Sequence, residues 1–293
     1  MIRRIAALAA ALALFSTPVI ARAADPEIRT ILDRCMGCNL AGKDLHGVDL
    51  HGITLIGTNL RRVNFDGAHL SDVRFTGVNL DNANLNNADL RNARFIGASL
   101  RGTTFAKANL DGATFTGVSL QRSNLIDGDQ RGLIRTCTGC NLEGVDLSLA
   151  DLRSIRFVGS NFRDAKLAKS DLRDARLVGA NLRNADLSGV QLSGGNFVGA
   201  NMREANVHGA VFGDVRLCSH NNYYGDSSRL NVVGDRNDAA CADLRGVDLH
   251  GIDLSRVQWC DEDRGAANCR TVTRAELVNL AHADLAGAIA PTQ

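Results

Sequence analysis

Aromatic residues and proline are scarce in this sequence. Its 293 residues include 10 Phe, 2 Tyr, 1 Trp and 3 Pro, against 29 Gly. A conventional globular core of this size normally contains more aromatic rings, because each ring buries a large apolar area. A backbone with few prolines keeps its N–H groups for hydrogen bonding along most of its length. The composition therefore argues against a conventional globular core and favours a regular, hydrogen-bonded architecture.

The sequence also lacks an excess of charge of either sign. It has 33 Lys and Arg against 32 Asp and Glu, and a pI of about 7.6. A nucleic-acid-binding protein normally carries an excess of positive charge, and an acidic DNA mimic carries the opposite excess. Neither class fits this balance, so we predict that no nucleic acid is bound. With 45% hydrophobic residues, the chain is not expected to be disordered.

Long apolar runs are missing apart from a short one near the N-terminus. Arg3 and Arg4 precede the apolar run Ile5–Phe15, and an A-x-A motif that ends at Ala23 follows it. The run is too short to cross a bilayer, which requires roughly 20 residues. We therefore predict that residues 1–23 are a signal peptide cleaved after Ala23. The mature protein is expected to be periplasmic or secreted and to have no membrane span.

A five-residue repeat fills most of the remaining chain. From Cys38 the successive units read CNLAG, KDLHG, VDLHG and ITLIG, and the middle residue is Leu or Phe in 18 consecutive units, up to Leu125. A second run of 16 units extends from Leu142 to Leu217. Further units are centred at Leu244, Leu249, Leu254 and Trp259, with two weaker ones at Leu280 and Leu285. Self-similarity at a fixed period identifies a repeat architecture.

The period of five indicates a coil that turns a corner in every unit. It fits neither the 3.6-residue period of an α-helix nor the two-residue period of a strand. All phenylalanines after the signal peptide are unit centres, which fixes the phase. We expect the centre and the small residue two positions before it to point inward and the other three to face water. A β-branched residue follows the centre in most fourth units, so one coil contains four units and about 20 residues.

This pattern resembles that of the pentapeptide-repeat family, A-[DN]-[LF]-x-x, across essentially the whole mature chain. The resemblance implies an all-β fold, a right-handed quadrilateral β-helix with four pentapeptides per coil. Ile28, Ile31 and Leu32 lie at helical spacing before Cys35 and predict a short N-terminal cap helix. The strings CMGCNL and CTGCNL mark a duplication, and the spacing between the two runs favours one continuous rod over two separate rods.

These features divide the chain into eight segments. They are the signal peptide (1–23), an N-terminal cap (24–37), repeat module 1 (38–127), a connecting loop (128–139), repeat module 2 (140–219), an insertion loop (220–240), a last coil (241–261) and a C-terminal tail or cap with weak repeats (262–293). Stacked repeats are stabilised by contacts with their neighbours, so their ends require caps.

All eight cysteines follow the predicted signal peptide, and disulfides are the default for an exported chain with an even cysteine count. We predict local pairs that tie each cap to its first coil or bracket an insertion. These pairs are Cys35 with Cys38, Cys137 with Cys140, Cys218 with Cys241 and Cys260 with Cys269. The last four cysteines allow three connectivities, and reduced thiols packed inward remain an alternative. Neither CxxC motif is followed by His, which excludes c-type haem attachment, and a zinc site shared by the two motifs is disfavoured by their distance in the chain.

The first candidate site is the fourth side of the coil. Arginines come directly before five of its centres: Arg74, Arg94, Arg156, Arg176 and Arg216. Because β-branched residues follow the same centres, stacking places a column of guanidinium groups beside a column of branched side chains. The simpler interpretation is a flat β surface on which branched residues pack against stacked neighbours. The functional interpretation is a docking surface for an anionic partner, or a face for self-association in a homodimer.

Two further candidates lie towards the C-terminus. The segment 220–240 contains both tyrosines, Tyr223 and Tyr224, and paired aromatics among polar residues suit a recognition loop. His208 and His250 follow centres on the second side and become vertical neighbours if the last coil stacks directly on the preceding coil. Two imidazoles in that position could bind a metal ion, although two exposed histidines without a metal are commoner.

Enzyme signatures are not found in the sequence. It contains no G-x-S-x-G, G-x-x-x-x-G-K-[ST], H-E-x-x-H or G-x-G-x-x-G motif. We therefore predict a non-enzymatic, exported scaffold without a cofactor, whose flat faces bind an unknown protein partner in the cell envelope. The alternative is a ligand- or metal-binding module formed by the insertion and the last coils. Some pentapeptide-repeat proteins mimic DNA and bind topoisomerase, but that role requires a cytoplasmic, acidic rod, and this chain departs from both conditions.

Overall fold

The computed structural model describes residues 32, 36–123, 134–220, 239–263 and 266–292. The chain forms two compact units, 1–129 and 130–293, and each is described by itself. The predicted signal peptide and its cleavage site lie outside the described residues. So does the predicted cap helix, except for Leu32, which is helical and buried. Within the described ranges, no helix is long and apolar enough to cross a membrane. The continuity of the rod stays a prediction.

Unit 1 is a coil whose sides stack at intervals of 20 residues. On its first three sides, isolated parallel bridges join equivalent residues of successive coils. On the fourth side the bridges extend into four short parallel strands. These are β1 (Thr54–Ile56), β2 (Arg74–Thr76), β3 (Arg94–Ile96) and β4 (Thr114–Thr116). The predicted all-β quadrilateral β-helix with about 20 residues per coil is confirmed.

The unit centres fill the interior of the coil, as the repeat phase predicts. Every described phenylalanine is at most 2% exposed. Phe75, Phe95 and Phe115 stack with ring centroids 4.8 and 4.7 Å apart and with interplanar angles of 10° and 4°. This spacing matches the distance between hydrogen-bonded strands, so the rings follow the backbone from coil to coil. Burial of each such ring stabilises the fold by about 1.5–3 kcal/mol.

Type II turns form most corners. At one of them the Lys43 N–H donates to the Leu40 carbonyl at 3.1 Å, and Gly42 between them has a φ of +70°. A type II turn requires a positive φ at its third residue. The same corner of the next coils is occupied by Arg62 and Asn82, both with φ of +57°. The turn therefore accepts side chains where the surrounding space allows them.

The Asp or Asn that precedes a centre stabilises both the turn and the stack. Asn59 accepts a hydrogen bond at its Oδ1 from the Arg61 backbone N–H at 3.2 Å, and its Nδ2 donates to the Asn39 Oδ1 of the coil below at 3.0 Å. Asn64 likewise donates to Asp44 at 2.8 Å. Short side chains with an acceptor oxygen form such local turns readily. This explains why the position before the centre is so often Asp or Asn.

The first strand of unit 2 is β5 (Cys137–Thr138), and the unit keeps the 20-residue register, as in the parallel bridge between Arg156 and Arg176. Its fourth side differs from that of unit 1. Here the residues after the centre turn instead of extending the strand, and the Ala180 N–H donates to the Leu177 carbonyl at 3.0 Å. The β-branched residues of this side therefore lie in turns in unit 2 but in strands in unit 1.

The fourth side of unit 2 widens into a sheet at its C-terminal end. Its strands are β6 (Arg216–His220), β7 (Ala239–Cys241), β8 (Gln258–Asp263) and β9 (Ala266–Thr271), in the order β7-β6-β8-β9. The pairs β6–β7 and β8–β9 are antiparallel hairpins, whereas β6 and β8 are parallel. The ends of the predicted insertion loop 220–240 therefore belong to a hairpin.

A short helix, α1 (Arg274–Asn279), follows β9. Its N-cap Thr273 accepts from the Glu276 backbone N–H, and the Glu276 carboxylate accepts from the Thr273 N–H, which forms a capping box. Leu280 was predicted as a weak repeat centre, and this is wrong: it is the C-cap of α1 and is 40% exposed. The other weak centre, Leu285, is buried.

The segment after α1 pairs with the edge of the last coil. The Leu244 N–H donates to the Ala281 carbonyl at 2.8 Å, and the Ile289 N–H donates to the Ile252 carbonyl at 2.9 Å. These bonds satisfy backbone groups that an exposed edge would leave open.

Candidate functional site

Arg74 and Arg94 lie directly opposite each other on β2 and β3. Both side chains are exposed, and adjacent strands in a ladder are about 4.8 Å apart. Neither guanidinium forms an ion pair with any of the residues that the structure describes. Two like charges at this spacing repel each other, and no ion pair with a described residue offsets this electrostatic cost.

Several other arginines have an acidic partner. Arg91 donates from Nη2 to the Asp89 carboxylate at 2.7 Å, and Arg153 does the same to Asp151 at 2.8 Å. In each pair the aspartate precedes a centre and the arginine follows it. The hydrogen bonds from arginine hold the pKa of Asp89 and of Asp151 below the ordinary range of an aspartate. These arginines form ion pairs within the chain, whereas Arg74 and Arg94 form none with the residues that the structure describes.

A depression with a volume of about 490 Å³ opens beside the two arginines. It is lined by Asp72, Arg74, Asn92, Arg94, Gly112 and Thr114. Gly112 packs tightly against Asn92, because an added Cβ would clash with the Asn92 Oδ1. The lining contains two guanidinium groups and one carboxylate, and its net charge is therefore one positive.

Exposed branched side chains form a column beside the arginines. Ile56 is 42% exposed and Ile96 is 40% exposed, and Thr76 lies between them in the ladder. Met36, which bridges to Ile56, extends the column and is 77% exposed. The fourth side of unit 1 therefore combines cationic and apolar groups on one flat surface.

A column of glycines completes this surface. Gly77, Gly97 and Gly117 each have a φ of +59°, and an added Cβ would meet nothing within 4 Å at any of the three. Asn82 and Asn92 have φ of +57° at other corners, so the positive φ by itself does not require glycine here. The effect of this column is a strip of bare backbone, which another backbone can approach closely.

The predicted arginine column of unit 2 is placed differently. Arg156 is exposed, whereas Arg176 and Arg216 are half-buried. The expectation of an exposed branched column is wrong for this unit, because Val178 and Val198 are only 2% and 3% exposed. These valines lie in turns and not in strands. Among the described residues, stacked exposed arginines beside a column of exposed branched residues are therefore found in unit 1.

The predicted recognition loop has a defined base. Cys218 on β6 is directly opposite Cys241 on β7, and the two form a disulfide with their Cα atoms 4.1 Å apart. Tyr223 and Tyr224 lie outside the described residues. The disulfide fixes the two strands from which the segment emerges.

The other described cysteines are also in disulfides. Cys137 is joined to Cys140, and Cys260 on β8 is joined to Cys269 on β9. Cys38 is disulfide-bonded as well, while Cys35 lies outside the described residues. Both C-terminal hairpins of unit 2 are thus held by a disulfide across their strands.

The two candidate metal-binding histidines are both exposed. The Met202 N–H donates to the Asp243 carbonyl at 2.9 Å, so the last coil stacks on the preceding one with an offset of 42 residues. His208 and His250 are separated by this same offset. Direct stacking of the two coils is the condition under which the two histidines become vertical neighbours. The His250 ring also lies against Gly287, where an added Cβ would clash with the His250 Cδ2. Among the described residues, no group of three or more His, Cys, Asp or Glu side chains could hold a metal ion.

Sequence reasoning missed the residues that line the depression with the arginines. Asp72, Asn92 and Gly112 lie two positions after centres of the third side, and Thr114 lies just before a centre of the fourth. Alignment of the sequence on its 20-residue superperiod would have placed these columns side by side.

Two models of repeat families match the chain. The model described as "Pentapeptide repeat region" matches residues 31–105 and 69–133. The model described as "Pentapeptide repeats (8 copies)" matches residues 136–167, 146–184, 155–194 and 180–217. Together these matches cover most of unit 1 and half of unit 2. No curated protein matches the chain significantly.

Solved structures of pentapeptide-repeat proteins are also similar. HetL from the cyanobacterium Nostoc sp. strain PCC 7120, a protein involved in the regulation of heterocyst differentiation, is 27% identical over 62% of this chain and 84% of its own, with a TM-score of 0.28. QnrB1, a plasmid-mediated fluoroquinolone resistance protein, is 20% identical over 74% of this chain and 91% of its own, with a TM-score of 0.30. A protein from the thylakoid lumen of Arabidopsis thaliana is 22% identical over 50% and 70%, with a TM-score of 0.20.

Proposed function

This chain belongs to the pentapeptide-repeat family, and on that premise we propose that it is a non-enzymatic, exported scaffold that binds an acidic protein partner. The docking surface is the fourth side of unit 1. It consists of the arginines on β2 and β3, the column of exposed branched residues beside them, and the adjoining glycine column.

One observation carries this proposal: Arg74 and Arg94 are stacked, exposed and without an ion pair among the described residues. The mutual repulsion of their charges falls when carboxylates of a partner approach them. Elsewhere the chain supplies such carboxylates itself, as Asp89 does for Arg91. The neighbouring branched side chains add apolar area to the contact, and the bare glycine backbone permits a close approach.

The absence of catalysis is proposed from the packing of the coil. Leu and Phe side chains fill the interior of both units, so the proposed contacts are all at the surface. Export is proposed from the N-terminal sequence together with the disulfides of the C-terminal hairpins, since stable disulfides are typical of oxidising compartments.

Crosslinking in intact cells, followed by identification of the captured protein, tests the proposed function. Replacement of Arg74 and Arg94 by Gln is expected to weaken capture without loss of the fold, because both side chains are exposed. Capture should also fall with rising salt, which screens exposed charges over about 10 Å at 0.1 M. The matched control replaces Arg61 and Arg101, two exposed arginines on the first side of the same unit, by Gln.

Two outcomes would contradict the proposal. Equal losses in the variant and the control would indicate non-specific charge attraction. If the Arg74 and Arg94 variant captures the partner normally while deletion of Asn221–Asp238 abolishes capture, the insertion is the recognition element. That second result would favour the alternative of a binding module at the C-terminal end of the chain.

A further inference from the structure

The charge of the depression beside Arg74 and Arg94 limits which anion it can accept. Asp72 contributes one negative charge to a lining with two positive charges. A phosphate group carries about −1.5 to −2 at neutral pH and would leave the site with excess negative charge next to Asp72. A carboxylate carries a single negative charge, which the lining neutralises.

The donors around the depression also suit a carboxylate. Each guanidinium presents a planar fork of N–H groups that fits two carboxylate oxygens. Asn92 adds an amide and Thr114 adds a hydroxyl to the same lining. The two arginines lie side by side on neighbouring strands and line the same depression, so a carboxylate bound there can accept from both.

The spacing along β3 indicates the conformation of the bound segment. Arg94 and Ile96 lie on the same strand, two residues apart, and both are exposed. Two residues of a strand span about 6.6 Å, and side chains two apart point to the same face. A partner segment that runs extended along β3 would therefore match this strand if the segment carries an acidic residue and an apolar residue two positions apart.

We propose that the depression binds a single Asp or Glu carboxylate of an extended partner segment, whose apolar side chain two positions away packs on Ile96. This inference rests on the proposed docking function of the fourth side of unit 1 and specifies its ligand. The glycine column at Gly97 and Gly117 leaves room for the backbone of that segment.

An NMR titration of the full chain tests this inference. The probe is an acetylated and amidated peptide, Gly-Glu-Ser-Val-Gly, with the same peptide carrying Gln in place of Glu as its control. Inorganic phosphate is the competing anion. We expect the Glu peptide to shift the side-chain resonances of Arg74 and Arg94, and the Gln peptide to bind about five-fold more weakly. Phosphate should bind more weakly than the Glu peptide.

Protein variants complete the test. Arg94→Gln should weaken binding of the Glu peptide about five-fold, whereas Arg61→Gln should leave it unchanged. Thermal melts establish that both variants are folded.

Stronger binding of phosphate, or equal losses in the two variants, would overturn the inference. If the Glu peptide fails to bind but capture in cells still depends on Arg74 and Arg94, the carboxylate inference fails while the docking function stands. If capture is insensitive to these arginines, the docking function itself fails.

Discussion

Arg270 lies over the indole ring of Trp259, with its Cζ 4.6 Å from the ring centroid. The same guanidinium donates to both carboxylate oxygens of Glu276, at 2.8 and 2.6 Å. Trp259 is the centre of the fourth unit of the last coil, and Glu276 belongs to the capping box of α1. One side chain on β9 thus connects the last coil to the helix that follows it.

The first prediction concerns the pH dependence of this contact. Hydrogen bonds from Arg270 lower the pKa of Glu276 to about 2, well below its ordinary value. The contribution of the ionised carboxylate to stability is therefore complete above the unfolded pKa of about 4.3 and is lost as the pH falls towards 2. The melting temperature should fall between pH 5 and pH 2 by more in the native protein than in Glu276→Gln.

The control is Asp284→Asn, which alters an exposed carboxylate of the same segment and preserves its turn hydrogen bond. An equal pH response in all three proteins would contradict the role of Glu276.

The second prediction concerns the register of the coil. Phe95 is stacked between Phe75 and Phe115, so Phe95→Ala should cost about 3–5 kcal/mol of unfolding free energy. Arg91→Ser removes an exposed ion pair and should cost less than about 1 kcal/mol. Denaturant titration of both variants measures the difference, and comparable losses would show that the inward and outward positions are misassigned.

The third prediction concerns the glycine column. Gly97→Asn and Gly67→Asn both place a side chain where the φ is positive and no atom lies within 4 Å of the new Cβ. Asparagine adopts this conformation readily, so each change should cost less than about 1 kcal/mol. Only Gly97→Asn adds a side chain to the proposed docking surface, and only that variant should weaken capture in cells. A loss of capture in Gly67→Asn of the same size would show that the effect is not specific to the surface.

The fourth prediction concerns the cysteines. Thiol titration of the unreduced protein, purified from its native compartment, should detect few or no free thiols. Replacement of Cys218 and Cys241 by Ser should lower the unfolding free energy by about 2–4 kcal/mol, because the disulfide closes the loop that contains the insertion. Recovery of eight reactive thiols would contradict both the disulfides and the proposed export.

The coil and its core were predictable because a period of five allows only one assignment of inward positions. The role of the outward Asp and Asn residues was not, since they were expected to be solvated. Asn59 instead bonds to Asn39 and to the backbone of Arg61. Periodicity separates inside from outside, but it does not reveal which outward polar atoms reach a partner in the next coil.

Two other features explain where sequence reasoning was insufficient. Ile96 and Val198 occupy equivalent positions after fourth-side centres, yet one is exposed on a strand and the other is buried in a turn. Their similar β-branched side chains gave no reason to expect this difference. By contrast, the capping box at Thr273 and Glu276 was readable in the sequence, and it outweighs the faint repeat phase at Leu280.

The pairing of Ala281 and Ile289 with the last coil has a consequence for how copies of this protein meet. An uncovered coil edge is a template on which another chain can add strand by strand, and such addition leads to filaments. Because these residues already occupy backbone groups of the last coil, another copy of the chain cannot pair with those groups in the same way.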